Sequence, residues 1–191
     1  SKKACETNEL QEYEYSLDID GRKLYYLARI IQSNPNEVVA IVIDLTKLKR
    51  AERAMHNFFE VNEDLFCIMN NDGYFLRANK AWSNNMQVSD EELYAKPFLD
   101  AIHPEDSLRA ARALKKVQTT TEAITFESRY LTADKNWHWL SWSIKAVEED
   151  HVIYGSARVI TSQKKAEQQL LDRNESLKRY TEQLQELNTA L

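Results

Sequence analysis

The amino-acid sequence predicts an α+β fold in which one sheet-and-helix unit occurs about one and a half times. Apolar residues recur at every second position in some stretches, which indicates strands, and at every third or fourth position in others, which indicates helices. Two parts of the chain also share short motifs at a constant shift, such as the 115 residues that separate Thr46 from Thr161. With 191 residues, the chain is long enough for one large or two small domains.

The N-terminal part of the chain predicts a meander of three strands over residues 12–45. Tyrosine and aliphatic residues alternate with polar residues over 13–19. Asp20-Gly21 follows, a dipeptide typical of tight hairpin turns, and the alternation resumes over 24–29. Residues 38–43 are rich in β-branched side chains and form the third predicted strand.

A helix is predicted to follow this meander, from Thr46 to about Phe59. The segment contains no glycine or proline, and Thr46 is a suitable N-cap for its first turn. Apolar residues recur at steps of three and four, which places them on one face of a helix. These residues are Leu48, Ala51, Met55 and Phe58.

The rest of the chain predicts a second and longer unit. It opens with two short strands, followed by short helical segments, one of which begins with capping-box residues at Ser89. A longer helix begins near His103, and the chain is again helical after Thr161. Strands are predicted at 66–69, 74–78, 123–131, 137–147 and 152–160.

Several motifs of this second unit follow one another in a characteristic order. They are Asn70-Asn71-Asp72-Gly73-Tyr74, Asn79-Lys80-Ala81-Trp82, Ala101-Ile102-His103-Pro104-Glu105-Asp106 and Trp137-His138-Trp139-Leu140. The first meander ends in Asp44-Leu45-Thr46. The series resembles the PAS family of the type found in bacterial sensor histidine kinases. Asp44-Leu45-Thr46 is similar to the family's Asp-Ile-Thr element, which joins the final strand to a signal helix.

The resemblance implies a PAS fold, which is a five-stranded antiparallel sheet flanked by short helices, at residues 60–161. Residues 1–46 are then expected to be the C-terminal half of a first PAS domain. Residues 47–59 are expected to form a linker signal helix, and residues 162–191 a C-terminal signal helix.

The resemblance also identifies the junctions between strand and signal helix as sites of signal transfer. The expected junction residues are Asp44, Thr46 and Thr161. Val159 departs from the family pattern because it stands where the family usually has Asp. Coupling at the second junction is therefore expected to rest on Thr161 and on apolar packing.

The C-terminal helix carries a leucine at every seventh residue, which predicts a parallel coiled coil and hence a homodimer. The predicted dimer seam consists of Leu170, Leu177, Leu184 and Leu191. Arg173 falls in the same seam and is expected to weaken it. The alternative is an amphipathic helix that packs back on its own domain.

Composition and motifs exclude several classes of function. No Gly-rich phosphate loop, catalytic series or metal-ligand spacing is recognisable. The net charge of −5 comes without a basic face, so no nucleic-acid partner is expected. No apolar run is long enough to span a membrane, and Cys5 and Cys67 lack paired spacing. The segment is therefore expected to be cytoplasmic without direct membrane contact, although its parent protein can be anchored elsewhere.

The resemblance implies that a small ligand could lie between the sheet and the short helices. The candidate pocket residues are Phe98, Ile102, Phe126, Ser128 and Trp139. The alternative is that these aromatic residues simply fill the core. Haem and flavin are not expected, because His103 sits in the family's ordinary His-Pro element and Cys67 in a strand.

Two functions remain open at this point. The first is a sensory or regulatory module that is not itself an enzyme and relays a signal through dimeric helices to an absent output domain. The expected output is the histidine kinase of a two-component system, with a diguanylate cyclase as the next choice. The second function is a ligand-free module for dimerisation and spacing.

Overall fold

The computed structural model describes residues 10–34 and 37–189. The chain divides into two compact units, one that ends at Phe59 and one that begins at Glu60. Leu191 of the predicted seam lies outside the described residues, as do residues 1–9 of the segment 1–46. For Leu184, the structure describes the helical backbone but not the side chain.

The first unit is a three-stranded antiparallel meander followed by a helix. Its strands are β1 (Gln11–Ile19), β2 (Arg22–Asn34) and β3 (Glu37–Asp44), in the order β1-β2-β3, and α1 spans Thr46–Val61. Asp20 and Gly21 have φ angles of 52° and 71°, the left-handed conformation that a tight hairpin between twisted strands requires. The meander predicted for residues 12–45 is confirmed.

As far as it is described, the second unit contains five strands, four helices and one short 3₁₀ turn. The strands are β4 (Leu65–Met69), β5 (Phe75–Ala78), β6 (Ile124–Leu131), β7 (Trp137–Val147) and β8 (Val152–Val159). The helices are α2 (Lys80–Met86), α3 (Asp90–Ala95), α4 (Pro104–Val117) and α5 (Thr161–Thr189), and the 3₁₀ turn is Phe98–Ala101. The five strands form one antiparallel sheet in the order β5-β4-β8-β7-β6. The predicted α+β fold with helices flanking a five-stranded sheet is confirmed.

The core of the second unit lies between one face of the sheet and the short helices. Along β7, Leu140, Trp142 and Ile144 are buried, whereas the residues between them are partly exposed. Because successive strand residues point to opposite faces, this alternation defines an inner and an outer face of the sheet. The helices cover the inner face, and Trp82 and Leu93 are among the buried residues that they contribute.

Local sequence features fix the ends of the short helices. Ser89 and Glu92 form both hydrogen bonds of a capping box at the start of α3, as predicted. Gly73 has a φ of 85°, and a Cβ atom there would lie 3.0 Å from the ring of Phe98. This turn therefore needs glycine both for its backbone conformation and for the close approach of the 3₁₀ turn.

The last element, α5, has 29 residues and exposes apolar side chains between residues 170 and 180. Leu170 and Leu177 are 61% and 55% exposed, and Tyr180 is also exposed. None of the helices within residues 10–34 and 37–189 is long and apolar enough to cross a membrane.

Candidate functional site

The inner face of the sheet holds four of the five residues predicted to line a pocket. Phe98, Ile102, Phe126 and Ser128 are all buried and belong to, or border, the same core. Phe98 comes from the 3₁₀ turn, whereas Phe126 and Ser128 lie on β6. Ile102 bridges the backbone of Tyr130 on the same strand. These four residues therefore surround one region between sheet and helices.

Aromatic rings fill this region. The Trp142 ring lies 5.3 Å from Phe98, 5.6 Å from Trp82 and 5.8 Å from Phe126, measured between ring centroids. Its indole N–H donates to the Ser128 hydroxyl over 3.0 Å. The Phe126 and Trp142 rings are stacked, whereas the other two pairs are tilted, and aromatic pairs stabilise a core beyond the area they bury. The interior is thus built around Trp142, which the candidate pocket did not include.

Trp139, the fifth predicted pocket residue, lies on the outer face of the sheet and does not join the other four. It directly precedes buried Leu140 on β7, and because successive strand residues point to opposite faces, its side chain lies on the face away from the core. There the ring is flanked by two cations. The Arg129 guanidinium lies 5.2 Å and the Lys164 ammonium 5.6 Å from its centroid, distances typical of cation–π contacts.

The backbone of Trp139 is also where the sheet meets α5. Its N–H donates to the Thr161 hydroxyl over 2.9 Å, and its carbonyl accepts from the Ile160 N–H over 2.8 Å. Thr161 is the first residue of α5. One residue of a central strand is therefore bonded to both residues at which the chain turns from strand to helix.

The first unit repeats this geometry at its own junction. The Tyr25 N–H donates to the Thr46 hydroxyl over 3.0 Å, and the Tyr25 carbonyl accepts from the Leu45 N–H over 2.8 Å. The hydroxyl of Thr46 thus binds the strand instead of capping α1 as predicted, because the adjacent strand places a donor within its reach. The 115-residue repeat is therefore visible in the hydrogen bonds of the two junctions as well as in the sequence.

The two junctions differ at one position. In the first, the Asp44 carboxylate accepts the Thr46 N–H over 2.8 Å, and hydrogen bonds from Thr46 lower the pKa of Asp44. In the second, the side chain of Val159 has no oxygen that can accept such a bond. Both junctions have an ion pair between the helix and the first strand of the meander: the Lys164 ammonium lies 2.7 Å from the Glu127 carboxylate on β6, and the Lys49 ammonium lies 3.1 Å from the Glu14 carboxylate on β1. The hydrogen bond to Glu127 raises the pKa of Lys164.

A buried carboxylate connects α4 to the same outer face. Asp106 is only 2% exposed and accepts hydrogen bonds from the backbone N–H and the guanidinium of Arg129, at 3.0 and 2.8 Å. Burial alone would raise the pKa of Asp106, but the bonds from Arg129 outweigh it and hold that pKa below its ordinary value. The guanidinium of Arg129 in turn lies over Trp139. The contacts thus run without a gap from α4 through β6 and β7 to α5.

Sequence reasoning identified Thr161 but missed Asp106, Arg129 and Lys164 as parts of this site. Asp106 belonged to the His-Pro-Glu-Asp motif, which was a usable signal. His103 of that motif accepts the Glu105 N–H at its Nδ1 over 3.3 Å and so caps α4. Within the described residues, no group of three or more His, Cys, Asp or Glu side chains is arranged to hold a metal ion.

Comparison with known proteins gives the same fold. The sequence model of the PAS fold matches residues 75–159. No curated protein matches the chain. Among solved structures, a domain of the sensory box sensor histidine kinase/response regulator from Geobacter sulfurreducens is similar, with 24% identity and a TM-score of 0.52 over 60% of this chain and 98% of that one.

Two further solved structures are similar to the chain. The PAS domain of an HTR-like protein from Haloarcula marismortui has 16% identity and a TM-score of 0.53, over 60% of this chain and 95% of that one. The sensory box histidine kinase/response regulator from Burkholderia thailandensis has 22% identity and a TM-score of 0.51, over 68% and 98%. The matched region contains β5 to β8 with the helices between them. Residues 75–159 therefore match the sequence model of the PAS fold, and the similar solved structures give the same fold for this part of the chain.

Proposed function

We propose that this chain relays a signal from its PAS domain through paired helices to an output domain. The output domain that fits best is a histidine kinase. Two of the similar structures come from proteins described as sensory box histidine kinase/response regulators, which supports this choice of output. In this proposal, the N-terminal meander is the C-terminal half of a first PAS domain, because its sheet and its helix junction match those of the complete one.

The observation that carries the proposal is the direct bonding of the sheet to the signal helix. The backbone of Trp139 bonds both Ile160 and Thr161, so a displacement of β7 moves the start of α5 with it. No flexible linker separates the last strand from the helix, since β8 ends at Val159 and α5 begins at Thr161. A helix of 29 residues extends about 45 Å at 1.5 Å per residue, far enough to carry that displacement away from the domain.

If α5 pairs with a second copy of itself, this displacement changes the geometry of the interface between the two helices. Leu170 and Leu177 are exposed and seven residues apart, as at the seam of a parallel two-stranded coiled coil. A stimulus that favours one arrangement of sheet and helices then shifts the equilibrium between two geometries of the paired α5 helices. The shift is limited by the difference in affinity of the stimulus for the two arrangements.

A second candidate, the ligand-free spacer, is favoured by the packing of the interior. Trp142, Phe98, Phe126 and Trp82 occupy the space in which a ligand would be expected. A core packed in this way leaves little room for a small molecule unless rings move. In this case the chain dimerises and sets the distance between neighbouring domains.

Native mass spectrometry of the purified chain, repeated under denaturing conditions, distinguishes these functions. A dimer with an additional small mass that is lost on denaturation supports a ligand-sensing relay. A dimer without additional mass supports the spacer, or a relay whose signal comes from a partner protein. A monomer at micromolar concentration contradicts the dimeric relay and the spacer alike.

A pair of variants tests the seam itself. Leu177→Glu places a charge at the predicted seam and is expected to shift the mass from dimer to monomer, because charges at these positions oppose pairing. Lys178→Glu changes the next residue, which lies outside the seam, and is expected to leave the dimer intact. Equal behaviour of the two variants contradicts a seam through Leu177.

A further inference from the structure

A cleft lies between the outer face of the five-stranded sheet and the first turns of α5, away from the packed interior. Its volume of about 510 Å³ is within the range of small-molecule sites in proteins. Trp137 and Trp139 of β7 form one side of the cleft, and Lys165 and Leu171 of α5 lie on the other. The sheet and the signal helix therefore border one cavity.

Apolar surface in this cleft is exposed. Trp137 is 39% exposed, although its ring contacts the ring of His103 edge-on, with the centroids 4.6 Å apart. Leu171 is 53% exposed and directly follows Leu170 of the predicted seam, so pairing of α5 at the seam does not account for it. Aromatic and aliphatic side chains of this kind favour a ligand with a flat apolar surface, since stacked rings attract each other beyond the area they bury.

The charged residues of the cleft favour an anionic ligand. Lys164, Lys165 and Glu167 line it, two positive charges and one negative, so the cleft has a net charge of +1 in a chain of net charge −5. Lys164 is held by Glu127 on β6. For Lys165, the part of the chain that the structure describes provides no ion-pair partner. Its exposed ammonium group is thus available to a carboxylate or another anionic group of a ligand.

A ligand in the cleft would touch the junction between strand and helix directly. Thr161 is one of the lining residues, and its hydroxyl accepts the N–H of Trp139. The interior is instead filled by the ring of Trp142 and its aromatic neighbours. A ligand that binds better in one arrangement of β7 and α5 would therefore favour that arrangement at the point where the strand gives way to the helix.

From these observations we infer that this cleft binds a small, flat aromatic anion, whose ring stacks on Trp137 and whose negative group pairs with Lys165. The site deepens the proposed function by naming the input of the relay, and its role in signalling rests on that proposed function. Binding itself does not require the dimer, because both side chains belong to the same chain.

Heteronuclear NMR of the full chain tests the site, with benzoate as the probe. The four tryptophans report separately through their indole N–H signals. Trp137 and Trp139 lie in the cleft, whereas Trp82 and Trp142 are buried in the core. We expect benzoate to shift the signals of the first two and to leave those of the last two unchanged. Neutral benzamide should bind about fivefold more weakly, because it lacks the charge for one exposed ion pair.

Matched variants on α5 test the role of Lys165. Lys165→Gln is expected to weaken benzoate binding about fivefold and to leave benzamide binding unchanged, since only the ion pair is lost. Lys178→Gln removes the same charge further along α5, outside the cleft, and should change neither affinity. Equal affinity of the two variants for benzoate overturns the inference.

Trp137→Leu tests the stacking surface. It keeps an apolar side chain but removes the ring, so benzoate should no longer shift the signal of Trp139. Unchanged signals of Trp82 and Trp142 show that the variant is folded. Cyclohexanecarboxylate has the charge of benzoate but no flat ring, and equal binding of these two probes to the parent chain overturns the inference.

The same spectra distinguish this inference from the proposed function. If benzoate shifts the signals of Trp82 and Trp142 instead, the ligand lies in the interior, which overturns the cleft site and leaves a ligand-sensing relay standing. The absence of any shift at millimolar benzoate also overturns the inference. The dimeric relay is decided separately by native mass spectrometry, where a monomer contradicts it whatever the cleft binds.

Discussion

Thr161 joins strand to helix through a single hydroxyl group. It accepts the Trp139 N–H, which would otherwise lack a partner on that side of the sheet. Thr46 performs the same task for Tyr25 at the first junction. The function of both threonines is therefore to hold the helix start on the sheet.

Replacing Thr161 by Val is expected to destabilise the second unit by about 1 kcal/mol, the net contribution of one such hydrogen bond. The shape of the side chain is kept, so packing changes little. Thr161→Ser retains the hydroxyl and is expected to recover most of the loss. Urea unfolding measures the difference, and Ser162→Ala, one residue further along α5, is the control that should change stability by less than about 0.5 kcal/mol.

Asp106 is the buried charge of the PAS domain. It is paired with Arg129 by bonds to both backbone and side chain and also accepts a bond from Arg109 at 2.8 Å. Because Arg129 is itself partly exposed, the pair is screened more than a fully buried one.

Asp106→Asn removes the charge but keeps the size of the side chain. We expect a loss of about 2 kcal/mol, as for hydrogen bonds to charged groups. Glu105 binds the same guanidinium at 2.6 Å but is 73% exposed. Glu105→Gln is therefore the matched control, and its effect on the unfolding midpoint should be clearly smaller. A larger effect for Glu105→Gln would contradict the assigned importance of the buried carboxylate.

The lowered pKa of Asp106 predicts how stability depends on pH. Its pKa in the folded state lies below the ordinary value of 3.8. The stabilisation is therefore complete above pH 3.8 and is lost as the pH falls through the folded-state value. Between neutral pH and pH 3, the unfolding free energy should fall less steeply for Asp106→Asn than for the wild type. Parallel curves would contradict the pairing.

At the level of elements, close packing holds β4 against β8. Cys67 and Gly155 face each other in the register of these strands. A Cβ atom at Gly155 would lie 2.7 Å from the Cys67 sulfur, which is too close for unstrained contact. Burial also raises the pKa of the Cys67 thiol, so this residue acts as a small apolar group.

Gly155→Ala is expected to cost about 1–3 kcal/mol through overpacking. In a Cys67→Ala background, the sulfur is absent and the same substitution should cost much less. A double-mutant cycle by chemical unfolding measures this coupling. Additive effects of the two substitutions would show that the Cys67 sulfur is not what requires glycine at position 155.

The elements themselves follow closely from the sequence, because strand and helix periods are local properties. The strand predicted at 137–147 matches β7, and the capping residues predicted at Ser89 begin α3. The inner face of β7 was harder to predict, since Trp139 and Trp142 lie on opposite faces and both are tryptophan. Only the packing of α2 and the 3₁₀ turn over Trp142 decides between them.

The contacts of the second junction could not be predicted for a different reason. Lys164 reaches Glu127 across the sheet, and Arg129 reaches Asp106 from a neighbouring element. Long side chains have many possible partners, and the tertiary fold selects among them. Val159 signalled that the second junction departs from the family pattern, but not that Lys164 would hold α5 to the sheet.

At the scale of the whole molecule, the same type of junction occurs twice along the chain. In each unit, the last strand of the sheet is followed directly by a helix, which begins at Thr46 in the first unit and at Thr161 in the second. In the proposed function, the exposed leucines of α5 join two copies of the chain. In the proposed relay, the junction at Thr161 is the place where a change in the sheet becomes a change in the dimer.

The most direct test measures distances between the two copies of α5 by pulsed electron spin resonance. A spin label at Glu182→Cys, on the face opposite the seam, is used in a Cys5→Ser background. We expect a defined distance between protomers that shifts or broadens in Thr161→Val and is unchanged in Ser162→Ala. Absence of any dipolar signal, or identical distance distributions in Thr161→Val and the parent chain, would contradict it.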